Sequence, residues 1–430
     1  MMLQVLRKWM WLQRTQWMSS KQLSRIQTKQ LRHIVTHAYQ NVLFYNQVYK
    51  RVNVSANNIS KVTDISKIPS IARTDLQRAP LQERTAANAD VASCSLSRSS
   101  GTTGMPVEFL EDPFSAAWRE ALMLRFLLAY GVRPFDRIGR ARFWGSAPAR
   151  PSYLGEKQGL WGFIRRKVVR QQLFVDFAQQ YDFLSRSKPD VLAASMYYSR
   201  GLARYCESAG KQLKFRMILT AGEILDDSTR KLIADSFEAE VFDNYGIEEV
   251  GGSIAWECPS HAGYHVNAES LLVELLRNGE PVQAGEIGDL YVTCFHRKAT
   301  PIIRYETGDR ARYVKDACPC GRGLPLIREI QGRVMDFILT TDERQVSPHM
   351  VLRTLTDIVG LEQFKVNQNE DLSIQIRIRT ESEKREAAVK QVQRRCKDLF
   401  GEIPLEIMEV EEIGVSEKYR VVESRATPSR

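Results

Sequence analysis

The sequence predicts an α/β protein with a large, multi-sheet N-terminal body and a small α+β unit at its C-terminus. Three observations predict it. Amphipathic helical stretches alternate with short apolar runs through the first half. From about residue 263 the pattern changes to shorter, β-rich stretches. Beyond Gly332 a strand–strand–helix–strand pattern emerges. The 430 residues allow two to four structural units at roughly 100–200 residues each, with room for at least one sizeable core. A content of 43% hydrophobic and 26% charged residues excludes a disordered chain.

Taken in order, residues 21–50 read as helix, with Leu23, Ile26, Leu31, Ile34, Val35 and Ala38 on one face. His33 and His37 read as helix-surface histidines. A loop at Pro69 leads into a short helix beginning near Thr74. Residues 91–110 read as a strand–loop–strand hairpin around a cluster of Ser, Thr and Gly. Residues 114–130, with Ala117, Leu122, Phe126 and Leu127 recurring among few charges, read as a buried helix. Strands are expected at 139–145, 188–195, 215–220 and 240–243, with a helix at 199–209 after Tyr197-Tyr198. The segments 271–275, 289–293 and 302–305 predict a second sheet. In the last hundred residues, strands at 362–368, 371–379 and 404–411 surround a helix at 382–399.

The 61 Lys and Arg against 51 Asp and Glu give a net charge of +10, which favours anionic partners without choosing among them. The basic residues read as dispersed, with small clusters at Arg165-Arg166-Lys167 and Lys384-Arg385 and no compact nucleic-acid motif. A specific nucleic-acid partner is not expected. The apolar start is interrupted by Arg7 and Lys8 and has no cleavage signature, so no secretion signal is read. No transmembrane run occurs, and a basic helix lying on a surface at residues 1–20 stays open. Seven thinly spread cysteines favour a reducing, cytoplasmic compartment.

The most informative stretch is Ser97-Arg-Ser99-Ser100-Gly101-Thr102-Thr103-Gly104-Met-Pro106. Glycine permits close backbone approach, and amides and hydroxyls can bind phosphate oxygens. A structural hydroxyl-rich turn fits the same residues. No Walker A pattern is present, which argues against a P-loop ATPase. The stretch resembles the phosphate-handling motif of adenylate-forming enzymes, especially the phenylacetate-CoA ligase family and its capsule-biosynthesis relatives. Ala221-Gly222-Glu223, Asp243-Asn-Tyr-Gly-Ile-Glu-Glu249, Tyr305-Glu-Thr-Gly-Asp309 and Gly332-Arg333 follow in the order of that family's later motifs.

The resemblance implies an adenylate-forming (ANL-type) fold with a body at 1–331 and a small mobile lid at 332–430. It also implies residue roles. Ser99, Ser100, Gly101, Thr102, Thr103 and Gly104 would handle the ATP phosphates, with Thr103 acting in catalysis. Gly222 and Glu223 would border the nucleotide, and Asp243, Asn244 and Tyr245 would flank adenine and the bound acid. Glu249 would hold Mg, Asp309 would accept ribose hydroxyls, Arg333 would sit at the hinge, and Lys418 would be the lid's catalytic lysine. Taken alone, Asp309 also suits a turn carboxylate and Lys418 a surface lysine. Two departures stand out. Met335 replaces the first of two acidic hinge residues, and no glycine precedes Pro348 in the segment tied to thioester formation.

Such chemistry makes an acyl-AMP because a carboxylate lacks a leaving group until it has attacked the ATP α-phosphorus. Coenzyme A is the acceptor implied by the resemblance. An amine, a carrier-protein thiol or a sugar is the alternative, given the departures. Trp144, Tyr197, Ala221, Gly246 and Ile247 are the candidate pocket for a small aromatic or otherwise hydrophobic acid. Cys258, His261 and His265 precede Cys318-Pro-Cys320. Thiolates and an imidazole suit tetrahedral zinc, but the C-x-C step departs from the usual zinc spacing, and by pattern alone buried free thiols fit better. The resemblance implies a structural zinc on Cys258, His265, Cys318 and Cys320. A homodimer is compatible with the sequence.

Overall fold

A computed structural model describes residues 1–54, 58–98, 107–141, 153–154, 168–171, 177–222, 225–332, 337–342, 345–346, 348–355, 358–411, 413 and 421–426. The chain packs as two compact units, residues 1–133 with 243–330 and residues 134–242 with 331–430. The strand Glu240–Ile247 gives its first three residues to the second unit and the rest to the first.

In the first unit, helices Met2–Thr15, Ser20–Asn41 and Leu43–Arg51 open the chain. Ser19 begins the second helix with a reciprocal capping box to Gln22. The single helix expected over 21–50 is two, because Val42 is extended at φ −122°. The break turns Tyr45 and Tyr49 into the core. There the Tyr45 hydroxyl donates to Pro301 O at 3.1 Å and accepts from Ile303 N at 3.1 Å. That bond also explains why Ile302 and Ile303 precede the strand Tyr305–Val314 instead of lying in it. The hairpin at 91–110 pairs Ser95–Arg98 with Glu108–Glu111.

Helix Pro113–Ala129 starts at Asp112, whose carboxylate accepts from Ser115 N at 2.9 Å, with Pro113 at the first position. It buries Arg125 completely, paired with the equally buried Glu269 at 2.7 Å. Asn267 accepts the second arm of Arg125 at 2.6 Å, and Thr15 donates to Glu269 at 2.9 Å. Strands Leu271–Arg277, Ile287–Cys294 and Tyr305–Val314 run antiparallel in that order. Strand Gly252–Glu257 pairs with the end of Glu240–Ile247 on one side and with Tyr264–Val266 on the other. Tyr264–Val266 in turn pairs with Leu326–Gln331. The antiparallel strands therefore run on from the motif-bearing strand, and the expected second sheet is not separate from it.

In the second unit, Val168–Gln171, Ile138–Ala141, Val191–Ala193 and Met217–Ala221 form a parallel array. Leu202, Ile218, Ile233 and Phe237 fill the core between these strands and their helices. Tyr197 and Tyr198 lie inside helix Met196–Ser208, which begins three residues earlier than expected because Ser195 caps it. The C-terminal stretch has its own sheet, ordered Leu405–Glu409, Ile374–Thr380, Leu361–Gln368 and Val422–Ser424. Helix Arg385–Phe400 closes it over Val366, Ile376, Val392 and Phe400. Helix Pro348–Leu355 and the three-residue strand Val422–Ser424 go beyond the sequence expectation. Among the described residues no helix is long and apolar enough to cross a membrane.

Replacing Glu269 by Ala would leave the Arg125 guanidinium buried without its counter-charge. The expected loss is about 3–5 kcal/mol, read as a lower urea midpoint, with Glu269→Gln retaining part of it.

Candidate active site and metal centre

The strand Glu240–Ile247 places Asp243, Asn244 and Tyr245 side by side. Asp243 is buried, donates its backbone N–H to Glu257 Oε2 at 2.8 Å and accepts the Tyr264 hydroxyl at 2.9 Å. Tyr245 donates its hydroxyl to Asp309 Oδ2 at 2.6 Å. Asp309 lies on strand Tyr305–Val314, and its N–H donates to Thr307 Oγ1 at 3.1 Å. Two motifs 64 residues apart in sequence are thus joined by one short, charge-assisted bond. Asn244 contributes a different feature. Its side-chain Nδ2 is buried with no hydrogen-bond partner among the described residues, which leaves a donor ready for an acceptor atom of a ligand.

After Tyr245 the ladder shifts register and the chain turns through Glu248–Val250. Gly246 is required there, since a Cβ would stand 2.4 Å from Gly252 O. Ile247 is buried beside it. Glu249 is buried as well, with Arg73 Nη1 at 3.3 Å and the Tyr305 hydroxyl at 3.2 Å from its Oε1. Arg297 holds the turn from beneath, donating from Nη1 to the carbonyls of Glu248 and Glu249 at 3.0 Å each. It is buried over the Phe109 ring, and its Nε and Nη2 have no partner among the described residues.

Arg73, Arg297, Tyr264 and Glu257 join the site without a signal in the sequence. None stands in a recognisable motif, and each acts through a residue distant in sequence. Tyr305 was legible only as the first letter of its motif. Ala221 ends the strand Met217–Ala221 in the second unit and Gly222 follows it, both exposed, with Gly222 at φ +87° in open space. Ser99, Ser100, Gly101, Thr102, Thr103, Gly104, Trp144, Glu223, Arg333 and Lys418 lie outside the described residues, as does the side chain of Tyr197.

The metal candidates come together. The ligand atoms of Cys258, His265, Cys318 and Cys320 all lie within 4.8 Å of one another. Cys258 and Cys318 sulfurs are 3.3 Å apart, and His265 Nε2 is 3.2 Å from Cys320 Sγ. His265 is brought in by its pairing with Leu326, at the end of the loop that carries both late cysteines. His261 turns away to Glu257 at 3.0 Å and is 42% exposed. The cysteine loop is clamped by the N-terminus: Arg322 donates to Gln16 at 2.9 Å and lies over the rings of Trp17 and Trp256. Burial, reinforced by Arg322, lowers the His265 imidazole to about 4. At neutral pH it is therefore the uncharged donor that a metal requires.

No family model matches the chain. The phenylacetate-coenzyme A ligase of Thermus thermophilus is 25% identical over 335 residues, covering 74% of this chain and 72% of that protein. The enzyme of the same name from Pseudomonas putida is 25% identical over 386 residues, covering 84% and 82%. Among solved structures, 2-hydroxyisobutyryl-CoA ligase in its postadenylation state superposes with a TM-score of 0.78 at 17% identity. That match covers 96% of this chain and 91% of the other. The chain has the adenylate-forming, CoA-ligase-like fold, as its motifs led one to expect.

Burial also holds the His296 imidazole at about 3, with Arg297 adding to the effect. Both buried histidines stay neutral when folded, whereas an unfolded imidazole protonates near about 6.5. Their stabilisation is intact above that pH and is lost as pH falls towards their folded values. Thermal unfolding should therefore drop from about pH 7 to pH 4, and His296→Gln should flatten the slope.

Proposed function

We propose that the protein activates a carboxylic acid with ATP, forming an acyl-AMP and pyrophosphate, and then transfers the acyl group to coenzyme A. The observation that carries this reading is the Tyr245–Asp309 bond, which joins strand Tyr305–Val314 to the strand that carries Asp243 and Asn244 and leads into the Glu249 turn. In the first step a carboxylate oxygen bonds to the ATP α-phosphorus and pyrophosphate leaves. In the second the CoA thiolate sulfur bonds to the acyl carbon and AMP leaves. Asp309, oriented by Tyr245, accepts ribose hydroxyls, and Asn244 Nδ2 donates to the base or the acid. Ser100, Thr102 and Thr103 wrap the phosphates, and Lys418 on the lid neutralises charge developing at the reacting phosphoryl group.

Glu249 is the residue that would hold Mg. A single oriented carboxylate fits this ion, which keeps several waters and takes phosphate oxygens as its other ligands. When bound it supplies charge stabilisation to the phosphates. The three thiols and one imidazole suit zinc, whose bonds to sulfur of about 2.3 Å set tetrahedral sulfurs roughly 3.8 Å apart. With four protein ligands such a zinc would be structural. We read 332–430 as the lid, supported by the separate core of Val366, Ile376, Val392 and Phe400.

The relatives' names favour an arylacetic acid as substrate, and the apolar Ile247 suits that class. Met335 and the missing glycine before Pro348 favour a second reading, in which the acyl group passes to an amine, a carrier-protein thiol or a sugar.

Acid-dependent ATP–pyrophosphate exchange over an acid panel tests adenylation, and mass analysis with CoA tests transfer. Adenylate formation with no thioester would sink the CoA step. Asp309→Ala should slow exchange on the order of tenfold to a hundredfold, as expected for losing charged hydrogen bonds, with Tyr245→Phe showing a smaller loss. Elemental analysis should find zinc in the native protein and a marked loss of it in Cys318→Ser.

A further inference from the structure

The net charge of +10 has one address. The first 63 residues hold ten of the 61 lysines and arginines and none of the 51 aspartates and glutamates, so the remainder, with 51 of each, is neutral. The sequence expectation of dispersed charge is corrected by this count. None of the ten basic side chains pairs with a carboxylate among the described residues, whereas ion pairs recur through the rest of the chain.

The first helix, Met2–Thr15, turns Val5 and Leu12 inward and leaves the opposite face bare. On that face Leu3, Arg7, Met10 and Arg14 recur at helical spacing, followed by Trp17 in the next turn. Leu3 is 69%, Met10 49% and Trp17 52% exposed. Basic and aromatic side chains also meet at the edge where the first helix packs on helix Pro113–Ala129. Lys8 and Lys298 both stand over the Phe114 ring, which is 36% exposed, at 4.0 and 4.5 Å. Phe114 shares a small cavity of about 90 Å³ with Gln30 and His33 of the second helix. Lys21, Arg25, Lys29 and Arg32 are exposed along that same second helix.

We propose that this N-terminal surface docks on an anionic phospholipid bilayer. Unneutralised lysines and arginines complement lipid phosphates, each contributing on the order of 1 kcal/mol near such a surface. The interleaved Leu3, Met10 and Trp17 have apolar volume that the acyl region of a bilayer takes up, and a nucleic-acid backbone offers no such phase. The buried side of the helix stays packed on helix Pro113–Ala129, so docking requires no unfolding. The proposal stands apart from the adenylation reading, and its test needs no substrate.

Flotation and titration with vesicles of phosphatidylcholine alone, and of phosphatidylcholine with phosphatidylglycerol, test it on the full chain. Binding to the anionic vesicles is expected at about 0.15 M salt, weakening steeply as salt rises. Arg7→Glu with Arg14→Glu should weaken it on the order of thirtyfold, by the contribution per basic residue. Leu3→Ser with Met10→Ser should weaken it by roughly tenfold or more. Unfolding curves matching the native protein confirm that these exposed substitutions leave the fold intact. Equal binding to both vesicle types would overturn the proposal, as would no binding by the native chain. Tighter binding to RNA or DNA that ignores the Leu3 and Met10 changes would overturn it too.

Discussion

The first unit is organised around a charge that cannot reach water. The Arg125 guanidinium is wholly buried, and desolvation of that kind is tolerated only when each arm has a partner. Glu269 and Asn267 provide them, and Thr15 donates to the same Glu269 oxygen that Arg125 holds. These partners come from the first helix and from the approach to strand Leu271–Arg277, so satisfying one side chain fixes three distant segments. Arg125 also lies 5.8 Å from the Trp256 ring centroid. Trp256 in turn meets Tyr130 edge-on, His265 and Arg322. Through Tyr130, whose hydroxyl donates to Asp243 O at 3.4 Å, the same scaffold reaches the motif-bearing strand.

The candidate site uses buried polarity differently. Around Arg125 the donors and acceptors are matched, apart from its Nε and one oxygen of Glu269. At the site, Asn244 Nδ2 and two donors of Arg297 remain unmatched among the described residues. Leaving such groups unpaired costs folding free energy, about 1–3 kcal/mol each. Arg297 adds orientation, since its clasp on two successive carbonyls sets the direction of the Glu249 side chain. The cysteine centre has a separate task. It ties the loop before strand Leu326–Gln331 to Tyr264–Val266, and the N-terminal turn at Gln16 and Trp17 clamps that loop from outside.

The legible elements were those whose signal is local. Helix Pro113–Ala129 announced itself by apolar period, Asp112 and Pro113, and the hairpin by the Ser, Thr and Gly cluster between two strand-like runs. The break at Val42 was not legible, because its cause is the demand of Pro301 and Ile303 for the Tyr45 hydroxyl. Strand Val422–Ser424 was too short to carry a period and exists through its pairing with Leu361–Gln368. The resemblance implies His265 as the metal ligand, and strand register is what physically separates it from His261.

By itself the sequence determined the motif order, the type of fold and the identities of the residues proposed to handle a nucleotide, because those signals sit within a few adjacent residues. It also determined that the positive charge belongs to the first 63 positions. Tertiary structure alone decided which side chains act together: Tyr245 with Asp309, Glu249 with Arg73 and Tyr305, Arg297 beneath the turn. It also decided which face of the first helix is left bare. The reason is physical: hydrogen bonds and burial act over a few ångströms in space, and the partners here stand tens to hundreds of residues apart along the chain.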